Sequence, residues 1–119
     1  MANISESLAT IMTIDGCMAA ALVDYNSGLV LGKAGAGLDL DLAGAGNTEV
    51  VRAKMKTMKS LSLKEDIEDI LITLGSQYHI IRPLVKKPGL FLYVVLQKDR
   101  ANLALARLKT ADAEKVLVV

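Results

Sequence analysis

The sequence predicts an α+β domain: a five-stranded, mainly antiparallel sheet with three helices, in the order α-β-β-α-β-β-β-α. Three observations lead there. Stretches with apolar residues at helical spacing alternate with short apolar runs of strand length. Clusters of Gly, Pro, Asn, Asp and Ser separate those runs. The 119 residues are 52% apolar but include only three Tyr, one Phe and no Trp, so the core must be aliphatic. A chain of this size suits a single domain over residues 1–119, with its core at about 4–108 and a tail at 109–119.

The first element reads as a helix from about Ile4 to Ile14. Ile4, Leu8, Ile11 and Met12 form one stripe, with Asn3 as N-cap and Glu6 placed to complete a capping box. Asp15-Gly16 ends it. Cys17 to Val23 and Leu29 to Ala34 read as a hairpin, joined by Asp24-Tyr25-Asn26-Ser27-Gly28, in which Gly28 is free to take positive φ. A second helix lies between Leu40 and Leu61. Its first half is weakened by Gly44 and Gly46, and Asn47 to Lys59 is the stronger part.

Ile67 to Leu74 and Tyr78 to Val85 read as strands joined by Gly75-Ser76-Gln77. Pro83 cannot donate to a ladder and should face an unpaired side or a bulge. Lys86-Lys87-Pro88-Gly89 is a turn, and Leu90 to Gln97, the most hydrophobic stretch, should be the central strand. A last helix should start near Asp99 and turn an apolar arc of Leu103, Leu105, Ala106 and Leu108 inward. Val116 to Val119 is apolar enough to dock on the body of the protein.

Composition excludes several function classes. Fourteen basic residues face thirteen acidic ones, so no global field favours nucleic acid or anionic lipid. No apolar run approaches the ~20 residues of a membrane span, and the N-terminus lacks the basic start and apolar block of a secretion signal. The expectation is a small soluble, cytoplasmic protein. Cys17 alone can form neither an internal disulfide nor a metal cage, and reads as a small core residue. The one histidine, His79, has no nucleophile paired with it in sequence and reads as structural. Gly32-Lys33-Ala34-Gly35-Ala36-Gly37 lacks the spacing of a phosphate loop, so the chain is not expected to bind GTP itself. The acidic run Glu65-Asp66-Ile67-Glu68-Asp69 lacks the spacing of a calcium loop and reads as a solvated strand entrance. No catalytic residue, cofactor site or metal site is expected.

Two segments resemble the roadblock family (roadblock and dynein light-chain proteins). The hairpin Ala19-Ala20-Ala21-Leu22-Val23-Asp24-Tyr25-Asn26-Ser27-Gly28-Leu29-Val30-Leu31, preceded by Ile14-Asp15-Gly16, is similar to that family's opening. Ala101-Asn102-Leu103-Ala104-Leu105-Ala106-Arg107 is similar to its closing helix, with Ala104 where glycine is common. Element order and length agree over about Ile4 to Leu108. The resemblance implies homodimers whose sheets join edge to edge through the third strand, with the second helices paired. It also implies no catalysis of the chain's own. Bacterial members are often regulators of a small Ras-like GTPase, some of them GTPase activators, and some belong to systems with a sensor-kinase-like protein. Eukaryotic relatives are adaptor or scaffold subunits.

The second helix carries the most informative surface. Arg52 to Lys64 holds five basic residues and no acidic one. Arg52, Lys56 and Lys59 lie within about 60° of one another and form a basic ridge. Val50, Val51, Met55, Met58 and Leu61 occupy an arc of about 140°, and Lys54 falls inside it, where an unpaired charge is costly to bury. Two arrangements fit. The whole arc covers the chain's own sheet with Lys54 at the margin, or part of it, with the adaptable methionines, packs on another chain.

With the resemblance, the expected dimer or partner interface is Val51, Lys54, Met55, Met58, Leu61, Ile67, Asp69 and Leu71, and the GTPase-docking candidates are Arg52, Lys56 and Lys59. Two third strands paired antiparallel would also bring Glu65 to Asp69 of one chain near Arg52 to Lys59 of the other. The expected function is a non-enzymatic homodimeric regulator of a small Ras-like GTPase; the alternative is a passive scaffold for a sensor-kinase or motor complex.

Overall fold

The first element begins with reciprocal hydrogen bonds. The Asn3 side chain accepts from the Glu6 amide at 2.8 Å, and the Glu6 carboxylate accepts from the Asn3 amide at 3.1 Å. This is the capping box expected from the sequence. In the computed structural model, which describes residues 1–119, the elements are α1 (Ile4–Met12), β1 (Cys17–Asp24), β2 (Leu29–Gly35), α2 (Leu40–Ser60), β3 (Ile70–Thr73), β4 (Gln77–Pro83), β5 (Leu90–Gln97) and α3 (Leu103–Val116). No helix is long and apolar enough to cross a membrane.

The five strands form one antiparallel sheet in the order β2-β1-β5-β4-β3. β5 is central, as its hydrophobicity implied, and β2 and β3 are the edges. Gly28 takes φ of +80° in the β1–β2 turn. Pro83 pairs with Phe91, and the next residue, Leu84, donates to the Leu90 carbonyl. Strand alternation therefore turns the Pro83 nitrogen toward β3, whose pairing with β4 stops at Ile70 and Ile81. The proline faces the unpaired side.

Each sheet face has its own core. Leu22, Ile80, Leu92, Val94 and Leu96 pack with Leu8 and Ile11 of α1 and with Ala106 and Ala113 of α3. On the other face Ala19, Ala21, Val23, Ile81, Phe91, Tyr93 and Val95 pack with Leu40 and Val51 of α2. α2 comes close to the sheet at Gly44, where a residue with no side chain sits against Val23 and Val30. A Cβ on Gly44 would sit 2.6 Å from a Val30 methyl.

Several boundaries differ from expectation, β4 among them, which ends at Pro83 instead of Val85. α1 stops at Met12, with Thr13 as C-cap. β3 starts at Ile70, not Ile67, because Asp69 turns away to meet Arg107 of α3 through two hydrogen bonds of 2.9 and 3.0 Å. α3 starts after Asn102, whose side chain accepts from the Leu105 amide, not near Asp99. It runs to Val116, so most of the expected tail is helix. The inward face of α3 is Ala106, Thr110 and Ala113, and Leu105 and Leu108 point outward. Leu117 is buried, and the tail docks beside Ala2: the Ala2 amide donates to Val116 (2.6 Å) and the Val118 amide to Ala2 (2.7 Å).

A polar thread crosses the α2-side core. The Gln77 side-chain oxygen accepts from His79 Nε2 at 2.8 Å, leaving Nδ1 to accept from the Tyr93 hydroxyl at 2.8 Å. Burial raises the Tyr93 phenol pKa, and a hydrogen bond with Asn47 of α2 partly offsets this. Burial lowers the His79 pKa from its ordinary 6.5. His79 serves here as a structural hydrogen-bonding residue. Cys17 sits against Met12 Sδ at 3.7 Å, and burial pushes its thiol up to about 11, opposite to the shift that makes a thiol nucleophilic.

Two outcomes follow. Gly44→Leu should lower stability by about 1–3 kcal/mol in urea unfolding despite leucine's better helix propensity, because the added atoms overpack the α2 contact. On acidification the unfolded chain binds a proton at its single histidine before the folded chain does. Stability from His79 is thus present above pH 6.5 and lost as pH falls toward its depressed folded value. Unfolding midpoints measured from about pH 7.5 down to 5.5 should fall in the wild type, and fall less steeply in His79→Gln.

Candidate interaction surface

α2 is anchored at both ends. The Asp39 side chain accepts from the Leu42 amide at 3.1 Å, capping the first turn. At the other end the Ser62 amide donates to Lys59 and the Leu63 amide to Met58, a Schellman closure with Ser62 at φ +58° where glycine is usual. Between these caps one face packs on β1 and β2: Gly44, Thr48 and Val51 are buried, and Met55 and Met58 are half-buried.

The arc read from the sequence is therefore split. Val51 is 0% exposed and packs within its own chain, which corrects its expected place in a partner interface. Val50, next in sequence but about 100° away around the helix, is 38% exposed, and Leu61 is 62% exposed. Lys54 lies on the exposed border between the buried face and this open flank. The flank includes residues that the sequence reading passed over. Ala43, Gly46, Val50, Ala53, Thr57 and Leu61 fall within about 80° of one another, and all but half-buried Ala43 are exposed. Their signal was weak because Ala, Gly and Thr contribute little to a hydropathy pattern. Small residues let a second helix approach closely.

Arg52, Lys56 and Lys59 are exposed on the opposite flank of α2 and form no ion pair within the chain. Met55, Met58 and Lys59 line a cleft of about 290 Å³ with Leu63, Glu65, Asp66 and half-buried Ile67. The structure thus places one end of the basic ridge, Lys59, and part of the acidic run around one cleft of a single chain. Asp69 does not join them. Both its oxygens bond Arg107 of α3 within the chain. Leu71 is half-buried on β3 and packs toward the α1 and α3 face.

The two sheet edges differ. β2 carries an extra residue, Leu31, opposite β1, and its Lys33 bonds Asp41 at 2.8 Å. A bulge and a charge both discourage further pairing. β3 reads Ile70-Leu71-Ile72-Thr73, with neither device. The Leu74 amide donates to the Gln77 carbonyl, on the β4 side. Alternation then turns the amides of Leu71 and Thr73 toward the free edge. Beside that edge, Ile70, Ile72 and His79 are only half-buried on the α2 face. An unguarded apolar edge, a partly covered sheet face and an open helix flank form one surface.

No family model matches the sequence, and no curated protein matches it. Solved structures do. A roadblock/LC7 domain from Streptomyces avermitilis superposes with a TM-score of 0.81 at 16% identity, over 96% of this chain and 93% of that one. The gliding protein MglB from Thermus thermophilus gives 0.81 at 18% identity, covering 94% and 83%. MglB from Myxococcus xanthus gives 0.80 at 16% identity, covering 93% and 90%. Identities this low carry the architecture and not the activity. The chain has the roadblock/LC7 fold.

Proposed function

We propose that this chain is a homodimeric, non-enzymatic regulator that binds a small Ras-like GTPase and modulates its nucleotide cycle. The observation that carries the reading is the continuous surface made by the β3 edge and the open flank of α2, on a fold shared with MglB. One solved MglB structure is described as having a tetrameric arrangement, a statement about that protein that is consistent with self-association through this fold. In the proposed dimer, β3 pairs with its two-fold mate and the α2 flanks pack together through Gly46, Val50, Ala53 and Leu61, with Lys54, Met55 and Met58 at the margin. Ile67 and Leu71 lie beside the new strand pair. An isologous contact of this kind needs one self-complementary patch, which the edge and flank supply.

The GTPase docks, in this reading, on the basic ridge of Arg52, Lys56 and Lys59, which the α2 pairing leaves open on the far flank. Regulation works by ordering the GTPase's own switch loops and needs no inserted catalytic side chain.

Two measurements test this. Val50→Glu places a charge on the open flank, so the variant should elute at half the wild-type mass while keeping its secondary structure, with an unfolding midpoint that no longer rises with protein concentration. A wild type that is already monomeric would refute the dimer. In single-turnover GTP hydrolysis with a Ras-like GTPase from the same genome, the wild type should change the rate by about tenfold or more. The Arg52→Glu/Lys59→Glu variant should lose that effect. Binding without any rate change would replace the regulator with a scaffold, and absence of binding would overturn the GTPase reading.

A further inference from the structure

On the sheet face opposite α2, the β4–β5 turn and the C-terminal half of α3 enclose a groove of about 370 Å³. Its walls include Leu84, Val85, Ala111 and Leu117, and Val85 is 56% exposed. Arg82, Lys86, Lys87 and Lys115 line it against one carboxylate, Glu114. That carboxylate is already engaged: Arg82 Nε bonds it at 2.5 Å and the Val85 amide at 3.3 Å. The Arg82–Glu114 pair is largely withdrawn from water, with side chains 22% and 14% exposed. Only Nε of Arg82 takes part, and its two terminal nitrogens donate to nothing within the chain. Once Glu114 is neutralised by Arg82, three lysines remain around an apolar slot: Lys86 and Lys87 without an ion pair, and Lys115 held only in an exposed 3.7 Å contact with Asp112.

We propose that this groove binds a short acidic, aliphatic segment of a partner protein. A carboxylate of the segment would take the free Arg82 nitrogens, for which a planar guanidinium is suited. Its aliphatic side chains would cover Val85 and the groove wall, and its remaining acids would meet Lys86, Lys87 and Lys115. The concave form favours a peptide over a lipid surface. The cations line a slot instead of crowning a plane, and no aromatic residue stands at its rim to enter a headgroup layer. The groove lies across the sheet from the α2 flank, so this proposal does not depend on the GTPase reading.

The test uses the full chain and a fluorescein-labelled peptide, Glu-Leu-Asp-Val-Glu-Leu, followed by fluorescence anisotropy. Saturable binding is expected, with amide shifts at Val85, Lys86, Ala111 and Lys115 in wild-type nuclear magnetic resonance spectra. Lys86→Glu/Lys115→Glu, both at exposed positions, should weaken binding by about tenfold or more. Raising salt from about 50 to about 300 mM should also weaken it. Lys64→Glu, at an exposed position just beyond α2, should leave it unchanged. Equal binding of a peptide with lysine at each acidic position, an unaltered affinity in the double variant, or shifts confined to α2 would each overturn the proposal. So would retention on phosphatidylserine vesicles that the peptide cannot compete away.

Discussion

An edge strand exposes backbone amides and carbonyls that have the same hydrogen-bonding capacity as those inside the sheet. How a protein treats its two edges constrains what it can assemble with. Here the treatment is unequal. β2 is bulged at Leu31 and carries the Lys33–Asp41 ion pair. β3 is four apolar or β-branched residues, uncharged and unbulged. The difference gives the molecule a polarity: one edge closed, the other ready to be extended. α2 follows the same logic, since packing on β1 and β2 leaves the sheet face near β3 only partly covered.

The placement of charge reinforces that division. Next to the open edge Asp69 is tied to Arg107 within the chain, while Arg52, Lys56 and Lys59 stay unpaired on the outer flank of α2. Burying an uncompensated charge in an interface is expensive. In the proposed dimer the uncharged Gly46, Val50 and Ala53 line the seam, and the ridge of cations stays outside it. On the other face, Glu114 performs two structural tasks, neutralising Arg82 and holding the β4–β5 turn against α3 through the Val85 amide.

Local features of the fold were readable from the sequence because their causes are local. The Asn3–Glu6 capping box needs only four residues. Gly28 occupies the turn position that requires positive φ, and the unbroken hydrophobicity of Leu90 to Leu96 marks a strand covered on both faces. The burial phase of a helix is different. Val50 and Val51 are equally apolar, and only the close approach at Gly44 and Thr48 decides that Val51 goes in and Val50 stays out. The same cause misled the reading of α3, where Ala106, Thr110 and Ala113 face inward against larger Leu105 and Leu108. Close packing selects small residues over the most hydrophobic ones. Asp69 and Arg107 are 38 positions apart, so the contact that shortens β3 had no local signature.

In the proposed dimer the outer edge of β3 is completed by a second copy of the chain. Amide hydrogen exchange reads that edge directly, at Leu71 and Thr73, whose N–H groups point away from β4. If the account is right, their protection rises with protein concentration and approaches that of the neighbouring Ile72 amide, which faces β4. If both amides exchange at the rate of an open loop at every concentration up to the millimolar range, the edge is bare in solution and the account fails.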